Sequence, residues 1–381
     1  MNLEEDFGRQ LRFNALGKLL DGLRRDAVFL VLLGVLVLLS TLAPQKIIAY
    51  PSLVDWPTIA ALTGLLTLTK ALERSGALDR AGHWLTGRMA TERGVALCLV
   101  LTAAMLSTVL TNDVALFVVV PLTLGVCRLT GLPATRLIIL EALAVNAGSA
   151  LTPIGNPQNL FLWQLSGVSF VEFTATMLPL VLVLMGVLLG LTYCLFTQRA
   201  IGLGDEDHSS TLDSGLMWVS LALYVPFVLA TDLRYAGIAA LVVLLIFLIF
   251  RRHVLAQVDW GLLLVFVLMF IDLRLVAGLA FVRDGMQTLG LEQARHLYFA
   301  AIGASQIISN VPAAIALAEY SNNWRVIAYG VNAGGFGLVV GSMANLIALR
   351  MSGDRRAWLE FHWYAIPFLG VAAACGYVLL F

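Results

Sequence analysis

The sequence predicts an all-α polytopic membrane protein made of two inverted-topology repeats, each with a re-entrant helical hairpin and a broken transmembrane helix. Three observations predict it. Hydrophobic residues make up 60% of the 381 residues and charged ones only 13%, with a mean hydropathy of +0.88, whereas soluble domains carry about a quarter charged residues. The stretch Asn146–Trp163, NAGSALTPIGNPQNLFLW, sets glycines, prolines and bare amides inside an apolar segment, so a helix there must break. The same element then recurs. Laid without gaps on Asn332–Leu349, NAGGFGLVVGSMANLIAL, it matches at Asn146/Asn332, Ala147/Ala333, Gly148/Gly334, Gly155/Gly341, Asn159/Asn345 and Leu160/Leu346.

Composition excludes several functions. A net charge of zero leaves no basic surface to neutralise phosphates, so no nucleic-acid partner is expected. Cys98, Cys127, Cys194 and Cys375 are scattered in apolar segments without metal-ligand spacing and read as packing residues. Residues 1–25 mix acids with bases and lack a small-residue cleavage site, which reads as an amphipathic cytoplasmic helix on the membrane surface.

Spans follow from the need for about twenty apolar residues per crossing. Nine are expected, at 26–43, 56–72, 136–162 with the break inside, 175–197, 215–231, 235–250, 260–281, 325–349 with the second break, and 361–381. Two further apolar regions, 94–127 and 297–320, are interrupted by Thr111-Asn112-Asp113 and by Ser309-Asn310 ahead of Pro312. Their arms read as short for full spans, and a re-entrant hairpin keeps irregular backbone buried in protein. Repeat 1 and the helix before it thus occupy 26–197, a polar cytoplasmic linker 198–214, and repeat 2 with the last helix 215–381. With the amino terminus in the cytoplasm of a bacterial-type inner (plasma) membrane, eighteen Lys and Arg fall inside and five outside, with Arg274 within a span, as the positive-inside rule requires.

The duplication extends further. Val54-Asp55-Trp56 recurs as Val258-Asp259-Trp260, each Trp being followed fourteen residues later by a base, Lys70 or Arg274. Ser107, Thr111 and Asn112 recur at the same spacing as Ser305, Ser309 and Asn310. The first VDW enters from outside and the second from inside, so the repeats are inverted, as in alternating-access transporters with a site at the repeat interface.

The polar groups point to ion chemistry. The first hairpin tip offers hydroxyls, an amide oxygen and the free carbonyls that end its first arm, all hard oxygen ligands. The breaks add further carbonyls, while helix starts beyond them present bare N–H groups and a positive dipole to an anion. Thr152, Pro153, Gly155, Asn156 and Pro157 suit that role in the first copy; their counterparts are Leu338, Val339, Gly341, Ser342 and Met343. Asp113 and Glu141 are intramembrane acids that could bind a cation or carry a proton. Val311 stands opposite Asp113, so the principal ion site is expected in the first half. Asp272 and Arg274 are two apart on largely opposite helix faces and read as structural or interfacial. Four of the five histidines fall outside the spans and His362 at the edge of the last, and the spans hold no serine/histidine pair, metal cluster or acidic dyad, so no enzyme is expected.

On these residues the sequence resembles the ion transporter superfamily, which includes divalent anion:sodium symporters, arsenite-efflux permeases and certain sodium/proton antiporters. The hairpin-tip signature Ser-Asn-Thr of the symporters stands here as Thr111-Asn112-Asp113 and Ser309-Asn310-Val311, and TPIGNPQN is closer to the arsenite-permease and anion-permease branches. The resemblance implies one sodium site near Ser107, Thr111, Asn112 and the Gly148–Gly155 loop, and a second near Ser305, Ser309, Asn310 and the Gly334–Gly341 loop. Substrate would lie between the tips, touching Asn112, Thr152, Pro153, Asn156, Asn310 and Ser342. The expected function is a secondary transporter of a small carboxylate or oxyanion, driven by sodium or protons in an elevator-like cycle, acting as a homodimer and needing no cofactor beyond a coupling Na+. A sodium/proton antiporter without organic substrate and an arsenite-type efflux permease are the alternatives.

Overall fold

The computed structural model describes residues 27–78, 80–81, 89–201, 212–354 and 356–381. The expected surface helix at 1–25 lies outside the described residues, as do residues 202–211 of the linker. Among the described residues the regular elements are helical, apart from one isolated β-bridge between Thr91 and Ala200.

In chain order the principal helices are α1 (Ala27–Leu42), α2 (Trp56–Arg74), α3 (Glu92–Val109), α4 (Asn112–Thr130), α5 (Ala134–Ser149), α6 (Pro157–Ser166), α7 (Phe170–Leu195), α8 (Ser214–Asp232), α9 (Ala236–Phe250), α10 (Trp260–Ala277), α11 (Ala280–Thr288), α12 (Ala294–Ile308), α13 (Asn310–Ala318), α14 (Trp324–Ala333), α15 (Met343–Ser352) and α16 (Ala357–Leu380). Six of them, α3, α4, α7, α8, α10 and α16, are long and apolar enough to cross a membrane.

Local chemistry explains the boundaries. Both VDW motifs are helix starts. The Asp55 and Asp259 carboxylates accept from the Thr58 and Leu262 N–H groups at 2.9 and 3.0 Å, which closes orphan donors of the first turn. Each motif's indole N–H also donates 2.8 Å back to a carbonyl five residues earlier, Trp56 to Pro51 and Trp260 to Leu255. Helix α7 begins five residues before the expected 175, because Ser169 accepts from the Glu172 N–H in a Ser-x-x-Glu start. Glycines in the left-handed region end α4 (Gly131), α6 (Gly167) and α15 (Gly353), where a side chain would be strained.

The arms of the first hairpin differ from expectation. Thr91 caps α3 and carries it out to Glu92, while α4 runs on to Gly131, giving 18 and 19 residues. At about 1.5 Å per residue each is close to the ~30 Å of a bilayer core. Shortness therefore holds only for the second hairpin, whose arms α12 and α13 have 15 and 9 residues.

Packing separates inside from outside. In α5 every residue from Leu137 to Ser149 is buried, in α6 from Pro157 to Trp163 and in α14 from Val326 to Ala333. The broken helices are thus the core. The outer helices instead expose apolar side chains, such as Val225, Ile238, Leu241, Ile249, Leu359, Trp363 and Val378, as a lipid-facing surface requires.

Loop contacts sort the helix ends into two groups. One holds Glu92 with Arg199, Ser75 with Asp213, and Thr135 with Asp354. The other holds Arg234 with Gln164, Phe170 with Asp232, Arg274 with Leu53 and Glu319, and Tyr320 with Ala277. Helices α3 and α4 leave and return at the first end, and α13 finishes at the second. Across the middle, α15 packs on α4 and α5 while α6 packs on α13 and α14. A further group, α2 with α8 and α9 and α1 with α10, stands beside this interleaved body.

Candidate functional site

At the centre, the two broken helices hold each other through four asparagines. Asn146 donates 2.7 Å to the Asn345 side-chain oxygen, and Asn332 donates 2.7 Å to that of Asn159. Each donor also bonds a carbonyl one turn back, Ala142 at 3.1 Å and Ala328 at 2.8 Å. Asn345 in turn donates to the Gly335 carbonyl, and Asn159 to its counterpart Ser149. Asn156 and Gln158 add donors to Asn332 at 3.2 and 3.5 Å. Such amides belong in an apolar core only when paired.

Glycine brings each break against its hairpin. A Cβ on Gly148 would collide with the Ala104 backbone and the Ser107 hydroxyl, and one on Gly334 would meet the Ser305 side chain at 2.6 Å and the Ile302 carbonyl at 3.0 Å. Gly148→Ala is therefore expected to cost about 1–3 kcal/mol through overpacking and to lower yield of folded protein. Wild-type melting of that variant would contradict the close approach.

The hairpin tips are bonded to the breaks as well. The Asn112 N–H donates 3.0 Å to the Gly155 carbonyl, and the Thr152 hydroxyl 2.5 Å to the Thr108 carbonyl. Tyr224 of α8 donates to the Val109 carbonyl. In the second tip Ser309 has φ 74°, a left-handed conformation that a non-glycine residue adopts under constraint.

Both tips face one cavity of about 480 Å³. Thr111, Asn112 and Asp113 line it from the first hairpin, Asn310 and Val311 from the second, and Pro157 and Met343 from the restarts of the broken helices. Four helix amino termini, those of α4, α6, α13 and α15, therefore meet there. Lys70, Gln257 and Asp259 carry the wall toward the end that holds Ser75 and Asp213. Lys70 is paired with Glu73 at 2.6 Å, whereas one Asp113 carboxylate oxygen is buried with no hydrogen-bond partner among the described residues.

The other sequence candidates fall elsewhere. Ser107 and Ser305 turn their hydroxyls to the Ala104 and Ala301 carbonyls of their own helices. Gly155 and Gly341 lie in the breaks, with Ser149 and Gly334 carbonyls against their α-carbons. Thr152, Pro153, Asn156 and Ser342 do not line the cavity; Asn156 and Ser342 cap α6 and α15. Glu141 is fully buried between α4 and α5, where Thr123 donates to one carboxylate oxygen and the other has no partner among the described residues. Arg274 bonds Glu319 at 2.8 Å and the Leu53 carbonyl at 2.6 Å, an interfacial place. Asp272 is 1% exposed, and neither of its oxygens has a partner among the described residues.

Sequence reasoning missed the crossed asparagines as a working unit, although they make up two of the six matched positions in the repeated stretch. It also missed Gln306 on α12, whose counterpart is Thr108, so the repeat carried no signal for it.

Known proteins match this chain over most of its length. The family profile described as citrate transporter, CitMHS, matches residues 15–326. The inner membrane protein YbiR of Escherichia coli K12 is 48% identical over 299 residues, covering 78% of this chain and 80% of that protein. An uncharacterized transporter of Methanocaldococcus jannaschii is 34% identical over 272 residues, 68% of this chain and 72% of its own. The rice silicon efflux transporter is 31% identical over 121 residues, 32% of this chain and 25% of its own. With its apolar helices, its buried broken core and these relatives, the chain is an integral membrane protein of the citrate transporter (CitMHS) family.

Proposed function

We propose that the chain is a secondary active transporter of a small anion, a carboxylate or oxyanion, working by alternating access and coupled to Na+ or H+. The observation that carries this reading is the single cavity shared by both hairpin tips and both helix restarts. Its volume lies in the ~300–1,000 Å³ range of small-molecule sites. Four helix amino termini bring N–H groups and positive partial charge to it, and the Asn112 and Asn310 amides add neutral donors. These features suit a carboxylate-rich anion such as citrate, which the family description names.

The coupling ion belongs to the first half. Asp113 lines the cavity with an open carboxylate oxygen. Near it the Ser107 carbonyl, at the end of α3, accepts from no described residue and stands 2.8 Å from where a Gly155 Cβ would be. A cation or proton there offsets the negative charge of Asp113, so ion and anion favour each other's binding, and the effect is reciprocal.

The hairpins and broken helices, tied by the crossed asparagines, form the moving body, and α1, α2, α8, α9 and α10 form the scaffold. The two copies are inverted repeats, since their hairpins open toward opposite ends. The hairpins are re-entrant, each entering and leaving at one end, with both tips at the cavity inside the membrane. By the distribution of Lys and Arg the amino terminus and the Asp259 end are cytoplasmic, which makes this an inward-facing arrangement. The exposed apolar faces of the outer helices suit a homodimer as well as lipid.

Purified protein in liposomes, challenged with citrate, succinate, sulfate and arsenite under sodium and proton gradients, tests the reading. Accumulation of at least one anion above its equilibrium level under one gradient is expected. Movement of none under either gradient sinks it. The second reading, Na+/H+ exchange without an organic substrate, is favoured by Asp113 and Asp259 sharing the cavity. It predicts sodium-driven proton flux with no anion present.

A further inference from the structure

We infer that Gln306 is a built-in substitute for a cation in the second break, so that the ion is bound in one half of the molecule only. This rests on the ion-coupled reading above and deepens it by assigning the stoichiometry of the site.

A helix that breaks inside an apolar core frees carbonyl oxygens, and each must meet a donor or a cation. In the second break the Gln306 side chain reaches from hairpin arm α12 into the loop. Its Nε2 donates to the Gly334 carbonyl at 2.5 Å and the Phe336 carbonyl at 2.9 Å, while its Oε1 accepts from the Leu338 N–H at 2.8 Å. One neutral amide thus bridges two carbonyls, as a cation with hard oxygen ligands would, and fixes the loop at a third point. The packing leaves little space around it: a Cβ on Gly341 would lie 3.2 Å from Nε2, and one on Gly337 2.7 Å from Oε1. The end of α12 is closed too, since the Ser309 N–H donates 3.0 Å to the Ser305 carbonyl.

The first break is arranged differently at the matching positions. Thr108, the counterpart of Gln306, turns its hydroxyl back to Met105 of its own helix and sends nothing into the loop. The Ser149, Ala150 and Thr152 carbonyls are held from the far side by Asn159. The Ser107 carbonyl, which corresponds to the closed Ser305, accepts from no described residue. The first hairpin and break are joined through Asn112 to Gly155 and Thr152 to Thr108, yet the Ser107 carbonyl stays open, whereas in the second half the matching Ser305 carbonyl is closed and a side chain bridges two carbonyls of the loop. The second sodium site that the resemblance places among Ser305, Ser309, Asn310 and the Gly334–Gly341 loop is occupied by a side chain.

Counting ions decides the matter. Equilibrium binding of radiolabelled sodium to the purified full-length protein, without any anion, is compared with that of Gln306→Ala. The variant is expected to bind one more sodium ion per chain than the parent, whether the parent binds one or, being proton-coupled, none. An equal count in the two proteins overturns the inference. So does a parent that already binds two. Gln306→Glu covers the case in which the alanine variant does not fold. Its carboxylate cannot donate to the two carbonyls, so sodium is expected to raise its melting temperature by several degrees more than that of the parent, and equal shifts in sodium and in choline would overturn the inference again. Failure of the transport reading shows separately, as no anion movement in liposomes.

Discussion

Asn332→Ala is expected to abolish anion accumulation and to lower the melting temperature by several degrees. Asn332 donates to Asn159 and to the Ala328 carbonyl, and it accepts from Asn156 and Gln158. Truncation leaves the Asn159 oxygen and the Gln158 amide without their partner in the buried core, while the Asn156 amide keeps the Ser149 carbonyl and hydroxyl. Each buried orphan costs roughly 1–3 kcal/mol, so a total of about 2–6 kcal/mol is expected. Because Asn332 sits on α14 and its partners on α6, the loss also loosens the two copies from one another. A double-mutant cycle with Asn159→Ala separates these contributions: the second substitution should add little to the first, since residues in direct contact are not additive. Independent, additive losses with transport retained would show that the crossed pair does not hold the moving body together.

Asp113→Asn is expected to reduce gradient-driven accumulation at least tenfold. The amide keeps the size of the side chain and removes the charge that a coupling ion neutralises. The sign of the pH effect follows from the arrangement at the tips. Protonating Asp113 removes a negative charge from the cavity that takes the anion, so with proton coupling the anion binds more tightly as pH falls. In Asp113→Asn that pH dependence should disappear, and with sodium coupling the sodium dependence should disappear instead. Both are read by thermal shift with citrate as the probe, since a ligand of the folded state raises its melting point. A variant that keeps the parent's ion dependence would move the coupling site to another group, with Asp272 and Glu141 the buried acids left to examine.

That the chain is helical and lies in a membrane, that one broken element is written twice, and where most helices run are all legible in the order of residues alone. Those properties are local: apolar run length, prolines and glycines that stop a helix, and caps such as Asp55 and Asp259 act within a few residues of themselves. Both tips were legible as polar interruptions, and Asn112, Asp113 and Asn310 do line the cavity. Which polar groups of the breaks face that cavity and which are consumed in holding the core is set by packing between distant segments. Thr152, Asn156 and Ser342 look like ligands in sequence, yet their side chains are engaged at a Thr108 carbonyl and at helix starts. The partner of Asn146 is nearly two hundred residues away at Asn345, and Gln306 closes a loop on a different element. A hydrogen bond between distant segments leaves no periodicity in the chain. It exists only once packing has brought both partners out of water, where an unpaired amide or carbonyl is too costly to leave.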